Sequence, residues 1–133
     1  MPSLTELGNA YREDFDTLAS TGTSNVLPSG WSISEAGTSA TVNGSYVAST
    51  GSSNAGDTYS FGAGGSTDRA LGTVQSGTNI PTIGAQFIND TGTTISSLQI
   101  GYTGEQRRLG STGRADRLDF QISFDATSLT TGT

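Results

Sequence analysis

Carboxylates and arginines are the only charged side chains of this 133-residue chain, which has eight Asp, four Glu and six Arg. His, Cys and Lys are absent. Their absence excludes thiol and imidazole catalysis, disulfides, Schiff bases and the metal sites that those side chains form. The chemistry left to the chain is carboxylate catalysis, binding of hard cations through oxygen atoms, and recognition at a surface.

Calcium binding is the cation chemistry that these residue types permit. Ca²⁺ takes six to eight oxygen ligands at roughly 2.3–2.6 Å. The predicted ligands of a structural Ca²⁺ are Glu13, Asp14, Asp16, Asp57 and Asp119. They meet only if the first and last strands are neighbours. No EF-hand spacing is present, so the alternative that these acids are solvated or form turns stays open.

Recognition of sugars is the surface chemistry that the sequence favours, because aromatic rings stack on sugar faces while amides and charges bind the hydroxyls. The predicted ligand-binding residues are Trp31, Tyr46, Tyr59, Gln99, Gln121 and Arg108. Trp31 is the single Trp, and in a chain poor in large apolar residues a core position is the competing prediction for it. Tyr46 and Tyr59 are the rings expected at the surface.

Catalysis by carboxylates is the weakest of the three options. A glycosidase needs two carboxyl groups about 5–9.5 Å apart. Glu105 with Asp119 is the best candidate pair, but four Glu in a chain without His make a poor active site. We therefore expect a protein that is not an enzyme, and we expect Glu105 to form a salt bridge with Arg107, Arg108 or Arg114.

The elements that must position these residues are short strands. Side chains alternate between apolar and polar most clearly over 118–125, and again over 98–103 and 83–87. Shorter strands are predicted at 31–34, 58–61 and 70–74, whereas 11–18 is compatible with one helical turn or a first strand. With 19 Gly, 19 Ser and 21 Thr the chain must turn often. The prediction is an all-β, antiparallel two-sheet β-sandwich with jelly-roll topology.

Turn signals add two hairpins to this prediction. Residues 89–92 (Asn-Asp-Thr-Gly) join the 83–87 and 98–102 strands, and Asn43-Gly44 joins 41–42 to 46–47. The whole chain, 1–133, is predicted to be a single sandwich domain, with Met1-Pro2-Ser3 as the added start of an excised piece. After 118–125 the sequence stops abruptly, so it either ends at a natural sheet edge or lacks a final strand. An open edge would favour pairing with another chain.

Charge and hydropathy limit the partners. The net charge is −6, which argues against nucleic acid. No apolar run approaches the roughly 18 residues of a transmembrane helix, so membrane insertion is not expected. Residues 105–117 contain four Arg against Glu105 and Asp116, which makes this segment net +2 and the rest of the chain −8.

An ordered set of segments resembles a known type of module. The segments are Glu13-Asp14-Phe15-Asp16-Thr17-Leu18, Leu27-Pro28-Ser29-Gly30-Trp31, 51–62, Asp68-Arg69-Ala70-Leu71-Gly72, Gly104-Glu105-Gln106-Arg107-Arg108 and Asp116-Arg117-Leu118-Asp119-Phe120-Gln121. Together they resemble a β-sandwich module near the start of large secreted or surface-anchored bacterial multidomain proteins. Companion segments there include Calx-beta or immunoglobulin-like repeats, lamin-tail domains, nuclease-like domains and sorting anchors. One departure is Arg107, where the family pattern favours Trp.

The resemblance implies an extracellular or cell-surface location and an accessory role without catalysis. The leading hypothesis is a recognition or adhesion module that binds a polysaccharide or cell-surface glycan and sits beside neighbouring domains of a parent protein. The alternative hypothesis is a structural spacer or assembly domain that pairs through exposed sheet edges. Exposure of the aromatic rings would distinguish the two.

Overall fold

The chain is all-β, as the sequence predicts. A computed structural model describes residues 1–133 and contains eight strands and no helix. The strands are β1 (Ser3–Leu4), β2 (Thr23–Ser24), β3 (Trp31–Gly37), β4 (Tyr46–Ser49), β5 (Asp57–Phe61), β6 (Ala70–Val74), β7 (Asn79–Ala85) and β8 (Ile88–Asn89). All of them lie in the first 89 residues.

The strands form one larger sheet and two strand pairs. The four-stranded sheet has the order β2-β4-β5-β6, and β3-β7 and β1-β8 are separate pairs. The arrangement is consistent with an all-β sandwich. However, β4–β5 and β1–β8 are parallel, so the prediction of uniformly antiparallel sheets is wrong for these pairs. The jelly-roll topology stays a prediction.

The interior is small and largely polar because few large apolar residues are available. Leu18, Tyr46 and Tyr59 are the buried hydrophobic residues. Polar contacts join β5 and its flanks to the β3-β7 pair. The Thr58 hydroxyl donates to Glu35 Oε1 at 2.9 Å, and Asn79 Nδ2 donates to the Gly56 carbonyl at 3.2 Å. Buried polar groups are tolerated when they are hydrogen-bonded in this way.

Three short strands are confirmed at the predicted places. Residues 31–34 lie in β3, 58–61 lie in β5, and 70–74 form β6. In each of them β-branched or aromatic side chains favour a pleated, half-buried backbone, and a neighbouring strand completes the hydrogen bonds. Residues 11–18, in contrast, form neither a helix nor a strand. The Glu13 and Asp14 carboxylates accept the backbone N–H groups two residues onward and hold this segment as turns.

Both predicted hairpins are wrong. After β7 the chain forms β8, which pairs with β1 and not with residues 98–102. At the second turn, the Asn43 and Gly44 N–H groups both donate to Glu35 Oε2 at 2.9 Å. The turn therefore wraps a carboxylate of β3 and joins no strand pair, because 41–42 is not a strand.

The strongest strand prediction, 118–125, is also wrong, and so is 98–103. The two runs lie side by side nevertheless. Tyr102 stacks on Phe120 with ring centroids 6.0 Å apart, and Gln106 Nε2 donates to Asp116 Oδ2 at 2.7 Å. Gln106 comes four residues after Tyr102, and Asp116 comes four residues before Phe120, so the two runs are antiparallel. No backbone hydrogen bond joins the runs. We call residues 98–124 the open hairpin.

The open hairpin and the residues that follow it both contact the sandwich. Arg108 donates to the Ser52 carbonyl at 3.0 Å and to the Asn54 side chain. Beyond the open hairpin, Leu129 packs so closely on β7 that a Cβ at Gly84 would overlap Leu129 Cδ2. Leu129 is thus held against the strand pair, although it belongs to no strand.

Candidate functional site

The two tyrosines predicted to be exposed are buried. Tyr46 is 1% exposed and Tyr59 is 3% exposed. The Tyr46 hydroxyl donates to the Val26 carbonyl at 2.9 Å and accepts from the Ala19 N–H at 3.0 Å. The Tyr59 hydroxyl donates to the Ala55 carbonyl at 2.9 Å. The expected exposure is therefore wrong, because both hydroxyls have found partners that allow the rings to be buried.

Trp31 lies in a different group of aromatic rings, part of which reaches the surface. Its indole Nε1 donates to the Tyr11 hydroxyl at 3.1 Å, and Phe15 meets its ring edge to face with centroids 4.6 Å apart. Tyr11 also contacts Phe87 edge to face at 5.0 Å. Tyr11 is 38% exposed and Phe87 is 42% exposed. We call Tyr11, Phe15, Trp31 and Phe87 the aromatic patch.

Strand register brings the aromatic patch together. Trp31 of β3 pairs with Ala85 of β7, and Phe87 follows two residues later. Tyr11 comes from the turn segment 11–18, which Glu13 orients by accepting from the Tyr11 hydroxyl at 3.1 Å.

Burial raises the pKa of Tyr11. The hydrogen bond from Trp31 lowers this pKa, and Glu13 raises it further. The net upward shift keeps the phenol protonated. No spacing in the sequence signals that Tyr11 and Phe87 meet.

The remaining predicted sugar ligands do not join this patch. Gln99 and Gln121 are exposed residues of the open hairpin, and Arg108 is bonded to the loop at Ser52 and Asn54. The predicted ligands Trp31, Gln99 and Arg108 thus lie in separate parts of the fold.

Glu105 forms the predicted salt bridge, with Arg107 Nη2 at 2.5 Å from Glu105 Oε2.

The five predicted Ca²⁺ ligands are not brought together. No group of three acidic side chains is arranged to hold a metal ion. Asp16 accepts the backbone N–H of Arg69 at 3.1 Å, and Asp119 pairs with Arg117 at 2.7 Å. Asp57 is buried at the start of β5 beside Glu35. Metal binding stays a prediction without an assembled site.

Asp57 and Glu35 form a carboxyl pair that the sequence did not indicate. Burial raises the pKa of Asp57; the bond from its neighbour's N–H opposes the rise, and the adjacent Glu35 carboxylate adds to it. Burial also acts to raise the pKa of Glu35, but hydrogen bonds from Asn43, Gly44 and Thr58 outweigh it and lower that pKa. The opposite shifts indicate an ionised Glu35 beside an Asp57 that holds its proton to higher pH.

The two runs of the open hairpin expose their large apolar residues. Seven apolar side chains at alternate positions of the runs are exposed: Leu98, Ile100, Tyr102, Leu118, Phe120, Ile122 and Phe124. A cluster of exposed apolar side chains marks an interaction site more often than isolated ones do. The structure has no helix of the length and apolarity needed to cross a bilayer.

No family model, curated protein or solved structure matches this chain.

Proposed function

We propose that the chain is a non-catalytic assembly module in which the open hairpin of one copy pairs with that of a second copy. The observation that carries the proposal is the conjunction of seven exposed apolar side chains with two runs whose backbones make no hydrogen bonds to each other. The alternation in sequence is that of a strand, and a strand is stable only with a neighbour.

A two-stranded ribbon is marginally stable in water, whereas three or more strands with an apolar face are stable. Pairing of two open hairpins would give four runs with one shared apolar face. Each copy would supply Ile100, Phe120 and Ile122 to that face. The side chains on the other face, which include Gln99, Gln121 and Ser123, would remain in solvent.

Charge favours a second copy as the partner. Residues 105–117, at the closed end of the open hairpin, carry four Arg and two acids and are net +2, while the rest of the chain is net −8. Arg108 binds its own sandwich, but Arg114 makes no salt bridge within the chain. In a two-fold, antiparallel arrangement Arg114 of one hairpin lies near the acidic sandwich of the other copy. Both ends of the interface are then electrostatically complementary.

The test is the oligomeric state, measured by sedimentation velocity over a wide range of concentrations. We expect reversible dimerisation by the wild type and at least a tenfold weaker association by Phe120→Ser. Val26→Ser is the matched control, because Val26 is 70% exposed but lies outside the open hairpin. A wild type that is monomeric at every concentration, or equal association by both variants, would overturn the proposal.

A second candidate function is recognition of a polysaccharide through the aromatic patch, which the exposed faces of Tyr11 and Phe87 favour. Trp31 and Glu13 hold the Tyr11 hydroxyl, and the Tyr11 ring contacts Phe87 edge to face. The two rings therefore offer a preorganised apolar surface, and apolar sugar faces bind such surfaces. The resemblance to bacterial surface modules supports an extracellular location and an accessory role, and it defines no ligand.

Binding to a glycan array, followed by titration of any hit, tests this second function. Phe87→Ala is expected to weaken binding by tenfold or more. Phe124→Ala is the control, because Phe124 is the most exposed of the large apolar residues, at 88%, and lies far along the chain in the open hairpin. Failure of the wild type to bind any glycan, or equal binding by both variants, would contradict recognition at this patch.

A further inference from the structure

The guanidinium of Arg69 is buried without a counter-ion. Arg69 is 3% exposed, and the two salt bridges of the structure involve other arginines, Arg107 and Arg117. Its acceptors are neutral. Nε donates to Ser60 Oγ at 2.9 Å, Nη1 to the Ala63 carbonyl at 3.0 Å, and Nη2 to the Ser60 carbonyl. Burial of a charge is unfavourable unless it is paired.

The carboxylate of Asp16 accepts the backbone N–H of Arg69 at 3.1 Å, but it makes no salt bridge with the guanidinium. Nη2 carries two N–H groups and has one protein acceptor. A positive charge and a free donor therefore remain in the interior.

Arg69 lines a pocket of about 270 Å³ between the turns that follow β4 and β5. The pocket walls carry the hydroxyls of Ser20, Ser49, Thr50 and Ser52, together with two glycines, and no acidic side chain. Gly62 leaves the space that the guanidinium occupies, since a Cβ at this position would overlap Arg69 Nη1. The pocket is open to solvent and has room for an ion of the size of sulfate.

We propose that this pocket binds a small oxyanion group, namely a sulfate, phosphate or carboxylate. The guanidinium supplies the charge and a free N–H, and the four hydroxyls supply further donors around it. An anion here compensates the buried charge of Arg69 in a protein whose overall charge of −6 disfavours anions elsewhere. The group belongs either to a free inorganic ion or to a charged saccharide. Arg108 of the open hairpin contacts the pocket wall at the Ser52 carbonyl, but the pocket itself is lined by residues 20–69, so the proposal stands without either proposed function.

Titration of the wild type with sodium sulfate, sodium phosphate and sodium glucuronate, each against sodium chloride at equal ionic strength, tests the proposal. We expect a saturable rise in Tm of a few degrees and a shift of the Arg69 Nε–Hε resonance in ¹⁵N NMR spectra. Excluded salts raise Tm without saturation, and that background is common to all variants. A response to sulfate or phosphate alone indicates the free ion, and a stronger response to glucuronate indicates a saccharide.

Arg69→Gln should abolish the saturable part, whereas Arg114→Gln, an equal charge change at an exposed arginine, should retain it. Arg69→Gln is also expected to be less stable, so Ser20→Asp provides a second test. A carboxylate placed in the pocket wall should raise Tm in chloride and remove the saturable response. A wild type without saturable binding, or a Ser20→Asp variant with the full response, would overturn the proposal.

Discussion

The ring of Phe120 lies on the ring of Tyr102 with centroids 6.0 Å apart and planes inclined by 16°. This stack and the hydrogen bond of Gln106 to Asp116 set the register of the open hairpin, because no backbone hydrogen bond joins the two runs. In that register Ile100 faces Ile122, and Leu98 faces Phe124. The apolar side is thus assembled before any partner arrives, which lowers the conformational entropy lost on pairing.

Hydrogen exchange should follow from this arrangement. At low protein concentration the amides of 98–102 and 118–124 are expected to exchange almost without protection, since their N–H groups have no backbone acceptor. At concentrations where the chain self-associates, we expect protection of alternate amides in both runs by tenfold or more. Mass spectrometry of the exchanged peptides measures this, with β5 peptides as the internal reference. Protection that does not change with concentration would contradict pairing through these runs.

Tyr46→Phe should destabilise the fold, although the substitution removes only one oxygen atom. The substitution removes the hydrogen bonds of the hydroxyl to the Ala19 N–H and the Val26 carbonyl, and loss of a typical intramolecular hydrogen bond costs about 0.5–1.5 kcal/mol. Urea denaturation measures the change in the free energy of unfolding. Tyr102→Phe is the control, because Tyr102 is 64% exposed, and it should change stability by less than about 0.5 kcal/mol. Equal effects of the two variants would refute the assigned role of the Tyr46 hydroxyl.

Asp57→Asn should stabilise the protein at neutral pH more than at acidic pH. The pKa of Asp57 in the folded state is raised above its ordinary value of 3.8. Below pH 3.8 Asp57 is protonated in both the folded and the unfolded state, so the folded state keeps its full stability there. This stability is lost as the pH rises through the folded-state pKa. Asn keeps a neutral group beside Glu35 at every pH and does not suffer this loss.

Thermal melts at about pH 4 and about pH 7 measure the effect of Asp57→Asn, and the gain in Tm should be larger by a few degrees at the higher pH. Asp68→Asn, a change at an exposed carboxylate, controls for the altered net charge. A gain that is independent of pH, or that grows as the pH falls, would show that Asp57 does not retain its proton in the folded state.

Gly62→Ala should reduce stability, because the added methyl group would overlap Arg69 Nη1 and the Asp68 carbonyl. Overpacking of this kind costs roughly 1–3 kcal/mol. Gly64→Ala is a close control, since a Cβ at Gly64 meets no atom within 4 Å. Chemical denaturation of both variants provides the comparison. If Gly62→Ala were as stable as Gly64→Ala, the guanidinium would not occupy the position described.

The alternation of apolar and polar residues predicted a strand correctly only where a neighbouring strand could pair with it. Residues 70–74 and 58–61 form strands because β5 and β6 pair with each other. The pattern over 118–125 is more regular than either, yet no strand edge lies beside it to accept its hydrogen bonds. A sequence pattern specifies the two faces of a strand, whereas pairing depends on tertiary neighbours that a local pattern does not contain.

The candidate sites were less predictable than the strands, for a related reason. The burial of Tyr46 depends on two backbone groups at Ala19 and Val26, which no side-chain pattern indicates. The aromatic patch depends on the β3–β7 register. The salt bridge of Glu105 with Arg107 was predictable because the two residues are close in sequence. Contacts between distant segments were not.

The contact of Leu129 with Gly84 makes the segment between them a closed loop and not a free tail. Its two ends are fixed to the same strand pair, so the entropy of closing the loop is lost once, on folding. A segment tethered in this way remains near the sandwich. Because Gly84 has no side chain, β7 accommodates Leu129, and this contact helps to hold the chain that carries the open hairpin close to the strand pair.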